Sequence, residues 1–210
     1  AREVLSQADS IKDIVHEEKQ SLGGIFRVGI LPTIAPYLLP RFFPQMMKKY
    51  PTLDIRVQEM KTYQIKEALL QGDIDAGILA TIEGLEEYEQ TSLFYEKYIG
   101  YVSREDVLFS KDLLRTSDVA SSKDLWLLDE GHCFRDQMVR FCQMKSSQTS
   151  QLAYNLGSME TFMRMVESGM GITFIPELAE MQLSEPQKEL VRPFAIPIPT
   201  RELILITNRN

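Results

Sequence analysis

The residues of this 210-residue chain with the most distinctive chemistry are its two thiols, because the sequence contains only two cysteines. Both lie in the stretch GHCFRDQMVRFC, as Cys133 and Cys142. A thiol serves as a nucleophile, a metal ligand or a redox group, and in each case the thiolate is the reactive form. The spacing of the two cysteines and the residues around them indicate which of these roles fits.

The apolar residues of this stretch predict a helix over 133–144. They fall at helical spacing and form one stripe, which consists of Phe134, Met138, Phe141 and Cys142. We therefore expect Cys142 to face the core, where free cysteine is usually inert. Cys133 lies off the stripe at the expected helix start, where unpaired backbone N–H groups favour a thiolate.

Helical geometry keeps the two thiols apart. Nine helical residues rise by about 13.5 Å and place the thiols on opposite faces, whereas a disulfide needs Cα atoms within about 7 Å. A bond between Cys133 and Cys142 therefore requires the helix to unwind, which would make the pair a redox switch. Oxidation of one thiolate to sulfenic acid, followed by condensation with the second thiol, is the matching chemistry. Two unrelated cysteines, one buried and one at the surface, remain the alternative that the spacing alone favours.

Metal binding, hydrolysis and phosphate binding have little support. A zinc site needs three or four ligands, and the only histidines, His16 and His132, stand at no zinc spacing from the cysteines. A cysteine hydrolase needs a general base, and His132 is adjacent to Cys133, which is usually the wrong place for that base. No Gly-rich phosphate loop is present. We expect no metal, no cofactor and no enzymatic activity.

The composition is that of an ordinary globular protein, with 44% hydrophobic residues, 25% charged residues and a formal net charge of −7. This acidic balance argues against the segment itself binding nucleic acid, which needs a clustered basic face. No apolar run approaches the roughly 18 residues of a membrane span, so no membrane partner is expected. Two cysteines are too few for a disulfide scaffold, and this suits a reducing cytoplasm.

Strand-like and helix-like segments alternate along the chain from Gly24. The predicted strands are 25–30, 54–60, 75–80, 93–103 and 125–130, and the predicted helices are 33–50, 64–72, 133–144 and 159–171. The alternation favours an α/β fold with mainly parallel sheets. Two such runs, joined near residues 92–100, indicate two lobes with a cleft between them. Ligands of these folds gather at strand ends and lobe interfaces.

Residues 1–20 carry apolar side chains at helical spacing, and Leu22 and two glycines then end the pattern. Two interpretations stay open for this helix. It either packs on its own domain or is the remnant of a linker helix that pairs with another helix.

The cysteine stretch resembles the redox motif of the hydrogen-peroxide-sensing transcriptional activators of the LysR type. The match is nearly continuous from Asp129 to Cys142. Further support comes from LPTIAPYLLP at 31–40, from residues 156–176 and from PTRELILITNR at 199–209. The resemblance covers the chain from about residue 24.

This resemblance implies an α/β fold of two Rossmann-like lobes of periplasmic-binding-protein type, which is the LysR-type regulatory or substrate-binding domain. The implied boundaries are a linker-helix remnant at 1–22, lobe I at 23–94 plus about 205–210, and lobe II at 95–204 with the redox cysteines. The implied partners are a second copy in homodimers or homotetramers and RNA polymerase for the full protein. DNA would be bound through an N-terminal winged helix-turn-helix domain absent from this chain.

The resemblance also assigns roles to single residues. Cys133 would be the peroxidatic thiol and Cys142 the resolving thiol. Thr33 and Thr62 match hydroxyls that help to hold peroxide near the reactive thiol. Three further residues match polar groups of the surrounding pocket, namely His132, Asp136 and Arg201.

Each of these pocket residues also has a plainer interpretation. Thr33 suits a helix N-cap ahead of Ile34, and Thr62 suits a turn. Asp136 suits a first-turn acid that complements the helix dipole, and Arg201 suits a surface charge. Tyr63 departs from the pattern, because many relatives have histidine there.

Taken together, the resemblance implies a domain in which hydrogen peroxide oxidises Cys133, which then forms a disulfide with Cys142. The resulting change of conformation would control transcription of oxidative-stress genes. Two alternatives remain. One is a LysR-type domain that binds an organic ligand in the cleft and has incidental cysteines. The other is a thiol peroxidase that consumes many equivalents of peroxide.

Overall fold

A computed structural model describes residues 23–120, 124–128, 133–142 and 158–209 of the chain. Some of the predictions above lie outside these residues: the helix over 1–20, the polar residue His132, residues 129–130 of the predicted strand 125–130 and residues 143–144 of the predicted helix 133–144.

Seven strands and seven helices occur in the described residues. The strands are β1 (Gly24–Ile30), β2 (Leu53–Glu59), β3 (Ala76–Ala80), β4 (Tyr88–Val102), β5 (Ile172–Pro176), β6 (Val191–Arg192) and β7 (Thr200–Asn208). The helices are α1 (Ala35–Lys49), α2 (Thr62–Gln71), α3 (Thr116–Ala120), α4 (Cys133–Phe141), α5 (Met159–Glu167), α6 (Glu177–Glu180) and α7 (Glu185–Lys188). A short 3-10 turn, Val107–Ser110, precedes α3.

The strands form one sheet path in the order β2-β1-β3-β7-β4-β5, and β6 pairs with β4 outside this path. Of the pairings between described strands, β1–β2 and β1–β3 are parallel. The pairings β3–β7, β4–β5, β4–β6 and β4–β7 are antiparallel. The expectation of mainly parallel sheets is therefore wrong. The reason is that β4 and β7 pair in opposite directions. β3 then pairs antiparallel with β7, and β5 and β6 pair antiparallel with β4.

The described part of the predicted strand 125–130 is reduced to a single parallel bridge between Leu125 and Ile172. Trp126 N donates to Ile172 O at 2.9 Å, and Ile172 N donates to Asp124 O at the same distance. No longer ladder follows among residues 124–128, so this segment is correctly placed beside β5 but is not a regular strand.

Two separate hydrophobic cores flank the paired strands β4 and β7. One core contains Ile30 and Leu69, and we refer to the part of the chain around it as lobe I. The other contains Tyr101 and Phe162 and defines lobe II. The predicted α/β class with two lobes is confirmed. The exact residue boundaries of the lobes stay predictions.

Two local features fix the ends of α2. Lys61 N donates to Gln64 Oε1 at 2.9 Å, which satisfies one backbone donor at the helix start. Gly72 ends the helix in the left-handed conformation at φ 74°, which glycine adopts without steric cost. Thr62 is thereby the first residue of α2.

Among the described residues, none of the helices is both long enough and apolar enough to cross a bilayer.

Candidate functional site

Helix α4 carries the cysteine motif and packs its apolar stripe against lobe II. Phe134, Met138 and Cys142 are 3%, 0% and 3% exposed, which confirms their predicted burial, whereas Phe141 of the same stripe is only partly buried against this core. Cys142 is a free cysteine within the lobe II core. Burial raises the pKa of the Cys142 thiol to about 12. The thiol is therefore protonated at neutral pH and is a poor nucleophile there.

Cys133 is the first residue of α4. The helical hydrogen bonding continues to the second cysteine, because Cys142 N donates to Met138 O at 2.9 Å. Nine residues in this conformation span about 13.5 Å, which exceeds the reach of a disulfide. The expectation that the helical fold keeps the two cysteines too far apart to join is thus confirmed for the backbone.

A cavity of about 450 Å³ lies between α4 and lobe I. We call it the α4 cavity, and the residues that line it are Thr62, Tyr63, Lys66, Thr81, Ile82, Glu83, Asp136, Gln137 and Arg140. Two of the predicted site residues, Thr62 and Asp136, therefore meet in one cavity. Asp136 also lies in the first turn of α4, so its plainer interpretation as a dipole-matching acid holds as well.

The Thr62 hydroxyl is the most unusual polar group of the α4 cavity. Thr62 is 6% exposed, and its Oγ1 has no hydrogen-bond partner among the described residues. Most buried side-chain polar atoms have a partner, and leaving one unsatisfied costs about 1–3 kcal/mol. Because Thr62 begins a helix, backbone N–H groups with partial positive charge lie beside the hydroxyl. A small polar molecule that reached Oγ1 from the cavity would satisfy it.

Arg201 is buried, and its partner is Glu96. The two side chains are each 1% exposed, and Arg201 Nη2 lies 2.7 Å from Glu96 Oε2. Arg201 Nε donates to the same oxygen at 2.8 Å. The residues are directly opposed in the antiparallel pairing of β4 and β7. The plainer interpretation of Arg201 as a surface charge is therefore wrong.

The same guanidinium contacts lobe I and the cysteine helix. Arg201 Nη1 donates to Thr33 Oγ1, and Nη2 donates to Thr33 O, each at 3.2 Å. The guanidinium carbon lies 5.2 Å from the centre of the Phe134 ring and 5.7 Å from that of Tyr98, within the range of cation–π attraction. Ile34, not Thr33, is the N-cap residue of α1, so the N-cap interpretation of Thr33 is wrong.

A second cavity, of about 410 Å³, lies in the cleft between the lobes. We call it the cleft cavity, and its lining consists of Pro32, Thr33, Pro36, Tyr37, Glu59, Ser158, Met159, Glu160 and Gln182. Of the described residues predicted to surround one pocket, Thr62 and Asp136 thus share the α4 cavity. Thr33 and Arg201 instead belong to one buried network, and Thr33 also lines the cleft cavity.

Sequence reasoning missed Glu96 and Gln137. Glu96 shares one face of β4 with Phe94 and Tyr98, so an acid in register with two aromatic residues was the available signal. Gln137 Nε2 donates to Thr81 O at 3.1 Å, and its Oε1 accepts from Tyr98 OH. Nothing in the sequence distinguishes this glutamine from the other polar residues of α4.

The sequence of this chain is similar to those of known proteins. Residues 19–210 match the LysR substrate binding domain family. A hydrogen peroxide-inducible genes activator of Pectobacterium carotovorum subsp. carotovorum is 30% identical over 98% of this chain and 68% of its own length. The DNA-binding transcriptional dual regulator OxyR of Escherichia coli K12 is 29% identical over 98% of this chain and 67% of its own length. These relatives are named as regulators of genes, not as enzymes.

Solved structures show the same likeness. The crystal structure of OxyR from Porphyromonas gingivalis superposes with a TM-score of 0.81 at 54% identity, covering 89% of this chain and 84% of that one. The match extends through both lobes, which agrees with the periplasmic-binding-protein type of fold expected above.

The buried ion pair yields a stability prediction. Arg201→Ala leaves the Glu96 carboxylate buried without its partner, and we expect the free energy of unfolding to fall by about 3–5 kcal/mol. Replacing both residues together, as Arg201→Met with Glu96→Leu, should recover most of that loss. Urea denaturation monitored by circular dichroism measures the free energy of unfolding of each variant.

Arg209→Ala is the matched control for this prediction, because Arg209 pairs with Glu89 on the surface at 3.8 Å, with side chains 60% and 68% exposed. We expect no measurable change in the free energy of unfolding. Equal effects of the Arg201 and Arg209 substitutions would contradict a special role for the buried pair.

The raised pKa of Cys142 yields a reactivity prediction for the Cys133→Ser variant. Burial keeps the Cys142 thiol protonated, so its alkylation by iodoacetamide should stay slow from pH 7 to pH 10. In urea the same thiol regains an ordinary pKa near 8.5, and its alkylation rate should rise steeply through that pH. Mass spectrometry of timed samples measures both rates. Equal rates at pH 8 with and without urea would show that Cys142 is accessible.

Proposed function

Because this chain belongs to the LysR substrate binding domain family and is OxyR-like, we propose that it is the hydrogen-peroxide-sensing regulatory domain of a transcriptional regulator. The observation that carries the proposal is the unpartnered Thr62 hydroxyl, buried in a cavity that the cysteine helix lines. Hydrogen peroxide is small and polar, and it both donates and accepts hydrogen bonds. It therefore suits a buried hydroxyl beside a helix start.

In the first step, the Cys133 thiolate attacks one peroxide oxygen. A sulfur–oxygen bond forms, the oxygen–oxygen bond breaks, and hydroxide leaves and is protonated to water. The position of Cys133 at the first residue of α4 supports this role, because the helix dipole favours a thiolate there. Thr62 and Asp136 would orient the peroxide from the α4 cavity, and His132 would add a polar group next to the thiol.

In the second step, the Cys142 thiol attacks the sulfur of the Cys133 sulfenic acid. The disulfide forms, and the hydroxyl leaves as water, so one peroxide is reduced for each pair of thiols oxidised. Cys142 suits the resolving role because its buried, protonated thiol does not compete for peroxide. The distance across α4 requires the helix to unwind before the bond can close.

The outcome of the second step is a second conformation of the domain. Phe134 leaves its position beside Arg201, so the buried network of Arg201 and Thr33 loses its aromatic contact with α4. Thr33 and Arg201 thus act by connecting α4 to lobe I rather than by touching the peroxide. We propose that this change reaches the partner subunits of a homodimer or homotetramer.

The remaining parts of the proposal concern the full regulator. Its Escherichia coli relative is named as a DNA-binding transcriptional dual regulator. By that likeness the full protein would bind DNA through a domain separate from this one, contact RNA polymerase and work in the cytoplasm. No cofactor takes part in the proposed chemistry.

A second candidate function is the binding of a small organic molecule in the cleft cavity. Its volume of about 410 Å³ lies within the range of ordinary ligand pockets, about 300–1,000 Å³. In that case one equivalent of peroxide would leave the two cysteines unlinked, whereas a small molecule would raise the melting temperature.

Peptide mapping tests the proposed thiol chemistry. After one equivalent of hydrogen peroxide, the unmodified chain should contain a reductant-sensitive bond between Cys133 and Cys142. Cys142→Ser should stop at a dimedone-reactive sulfenic acid on Cys133. Cys133→Ser should react slowly, because the remaining thiol is buried. Rapid oxidation of Cys142 in the last variant would reverse the two roles, and continued peroxide consumption with a reductant would indicate a peroxidase.

Thr62→Val tests the role of the unpartnered hydroxyl. The substitution removes one hydrogen bond to the peroxide, and we expect Cys133 oxidation to slow by about tenfold. The melting temperature should hold or rise, because an unsatisfied buried hydroxyl is replaced by a methyl group. Stopped-flow oxidation of the Cys142→Ser background gives the rate.

Thr173→Val is the matched control for this test. Thr173 is also buried, but its Oγ1 donates to Trp126 O at 3.0 Å in lobe II. This control should lower the melting temperature and leave the oxidation rate unchanged. A slower oxidation rate in Thr62→Val and a lower melting temperature in Thr173→Val would separate peroxide positioning from stability. An unchanged oxidation rate in Thr62→Val would show that Thr62 is not part of the peroxide site.

A further inference from the structure

Gln137 lies near the middle of the segment that the proposed disulfide would close. Its side chain is half-buried and connects three elements of the structure. Nε2 donates to Thr81 O at 3.1 Å, and Oε1 accepts a hydrogen bond from Tyr98 OH. Because an amide has both donors and acceptors, one side chain joins α4 to lobe I and to β4 together.

Both partners of Gln137 are held firmly. Thr81 N donates to Glu202 O at 2.9 Å, and Thr81 Oγ1 donates to Glu202 Oε2 at 3.0 Å. Thr81 is therefore tied to β7 as well as to the end of β3. Tyr98 is 2% exposed, and its backbone is held in β4, where Tyr98 N donates to Pro199 O at 2.9 Å. Neither partner can follow α4 if the helix unwinds.

A second polar contact from α4, made by Arg140, is weaker. Arg140 Nη1 lies 3.2 Å from Glu83 Oε1, but the two side chains are 72% and 86% exposed. Exposed ion pairs are screened by water and salt and contribute little. The Gln137 contact with Tyr98 is partly buried, whereas the contact with Thr81 is exposed, so the Tyr98 contact contributes more to the position of α4.

We infer that Gln137 is a positioning residue that holds α4 in its helical arrangement and thereby sets the rate of disulfide closure. This inference rests on the proposed function. The first oxidation step takes place at the start of an intact helix and leaves both Gln137 hydrogen bonds in place. The second step requires Gln137 to leave Thr81 and Tyr98, because it lies between the two cysteines. Gln137 also lines the α4 cavity, but its amide is bonded to Thr81 and Tyr98, so its main effect is to slow the second step.

This assignment has a regulatory consequence. A sulfenic acid that waits for its resolving thiol is exposed to reductants and to further oxidation. The strength of the Gln137 contacts thus determines how much of the oxidised thiol becomes disulfide at a given peroxide concentration. The contacts to Thr81 also couple the loss of the helix directly to lobe I.

The test compares Gln137→Met with the unmodified chain. Methionine has a similar shape but makes neither hydrogen bond, so closure of the disulfide should become about 5- to 30-fold faster. Sulfenic acid formation, measured in the Cys142→Ser background, should change much less than disulfide closure does. Quenched-flow mapping with dimedone and iodoacetamide gives both rate constants. Equal changes in the two steps, or an unchanged closure rate, would overturn the inference.

A second variant guards against a general loss of structure. Gln137→Glu keeps the acceptor for Tyr98 OH but loses the amide donor to Thr81 O, so it should accelerate closure less than Gln137→Met. Gln90→Met is the matched control, because Gln90 Nε2 donates to the Leu85 carbonyl at 2.8 Å in lobe I, away from α4. Gln90→Met should leave both rates unchanged. Faster disulfide closure in Gln90→Met would mean that the effect of Gln137→Met is ordinary destabilisation.

Hydrogen exchange of the reduced protein separates this inference from the proposed function, because it needs no peroxide. The amides of 134–142 should exchange faster in Gln137→Met and at the parent rate in Gln90→Met. Unchanged exchange in Gln137→Met would overturn the positioning role even if peroxide forms the disulfide. Absence of the disulfide in the unmodified chain would instead overturn the proposed function, and the kinetic part of the inference with it.

Discussion

The ion pair between Arg201 and Glu96 connects more of this structure than any other single contact described above. The two residues are directly opposed on β7 and β4, the strands that pass between the lobes. Burying two charges is costly, and such a pair is retained only when the remaining donors also find partners. Arg201 meets this condition by donating to Thr33 in lobe I. Its guanidinium carbon also lies over the ring of Phe134, the second residue of α4.

This network explains why the cysteine helix lies at the junction of the lobes rather than on the surface of one of them. Phe134 anchors the start of α4 beneath the guanidinium, and Met138 and Cys142 continue the stripe into lobe II. Burial then makes the second thiol of α4 unreactive. Cys142 is protonated in the core, whereas Cys133 occupies a helix start that favours ionisation. The order of the proposed reaction follows from this difference in environment.

Thr33 and Thr62 show how the surroundings give two similar residues different uses. Both are nearly completely buried. The Thr33 hydroxyl accepts a hydrogen bond from Arg201, so its capacity is used within the protein. The Thr62 hydroxyl has no such partner among the described residues, and Thr62 lines the α4 cavity at the start of α2. Only the second arrangement leaves a buried polar group available to a small molecule.

Local patterns in the sequence were sufficient for much of this description. The helical spacing of Phe134, Met138 and Cys142 predicted both α4 and the burial of the second thiol, because an apolar stripe must face a core. The rise per residue of a helix then predicted that the thiols cannot meet. The alternation of strands and helices likewise predicted the α/β class. Each of these inferences depends on residues close together in the chain.

The tertiary structure decided the features that join distant residues. Glu96 and Arg201 are 105 positions apart, and their pairing depends on β7 returning antiparallel to β4, which no local pattern specifies. That return also made the sheet mostly antiparallel and moved Arg201 from an expected surface position to the interior. Whether Thr62 or Thr33 keeps a free hydroxyl depends on which side chains fold against it. Hydrogen bonds and ion pairs between lobes are set by packing in three dimensions, so only the folded chain determines them.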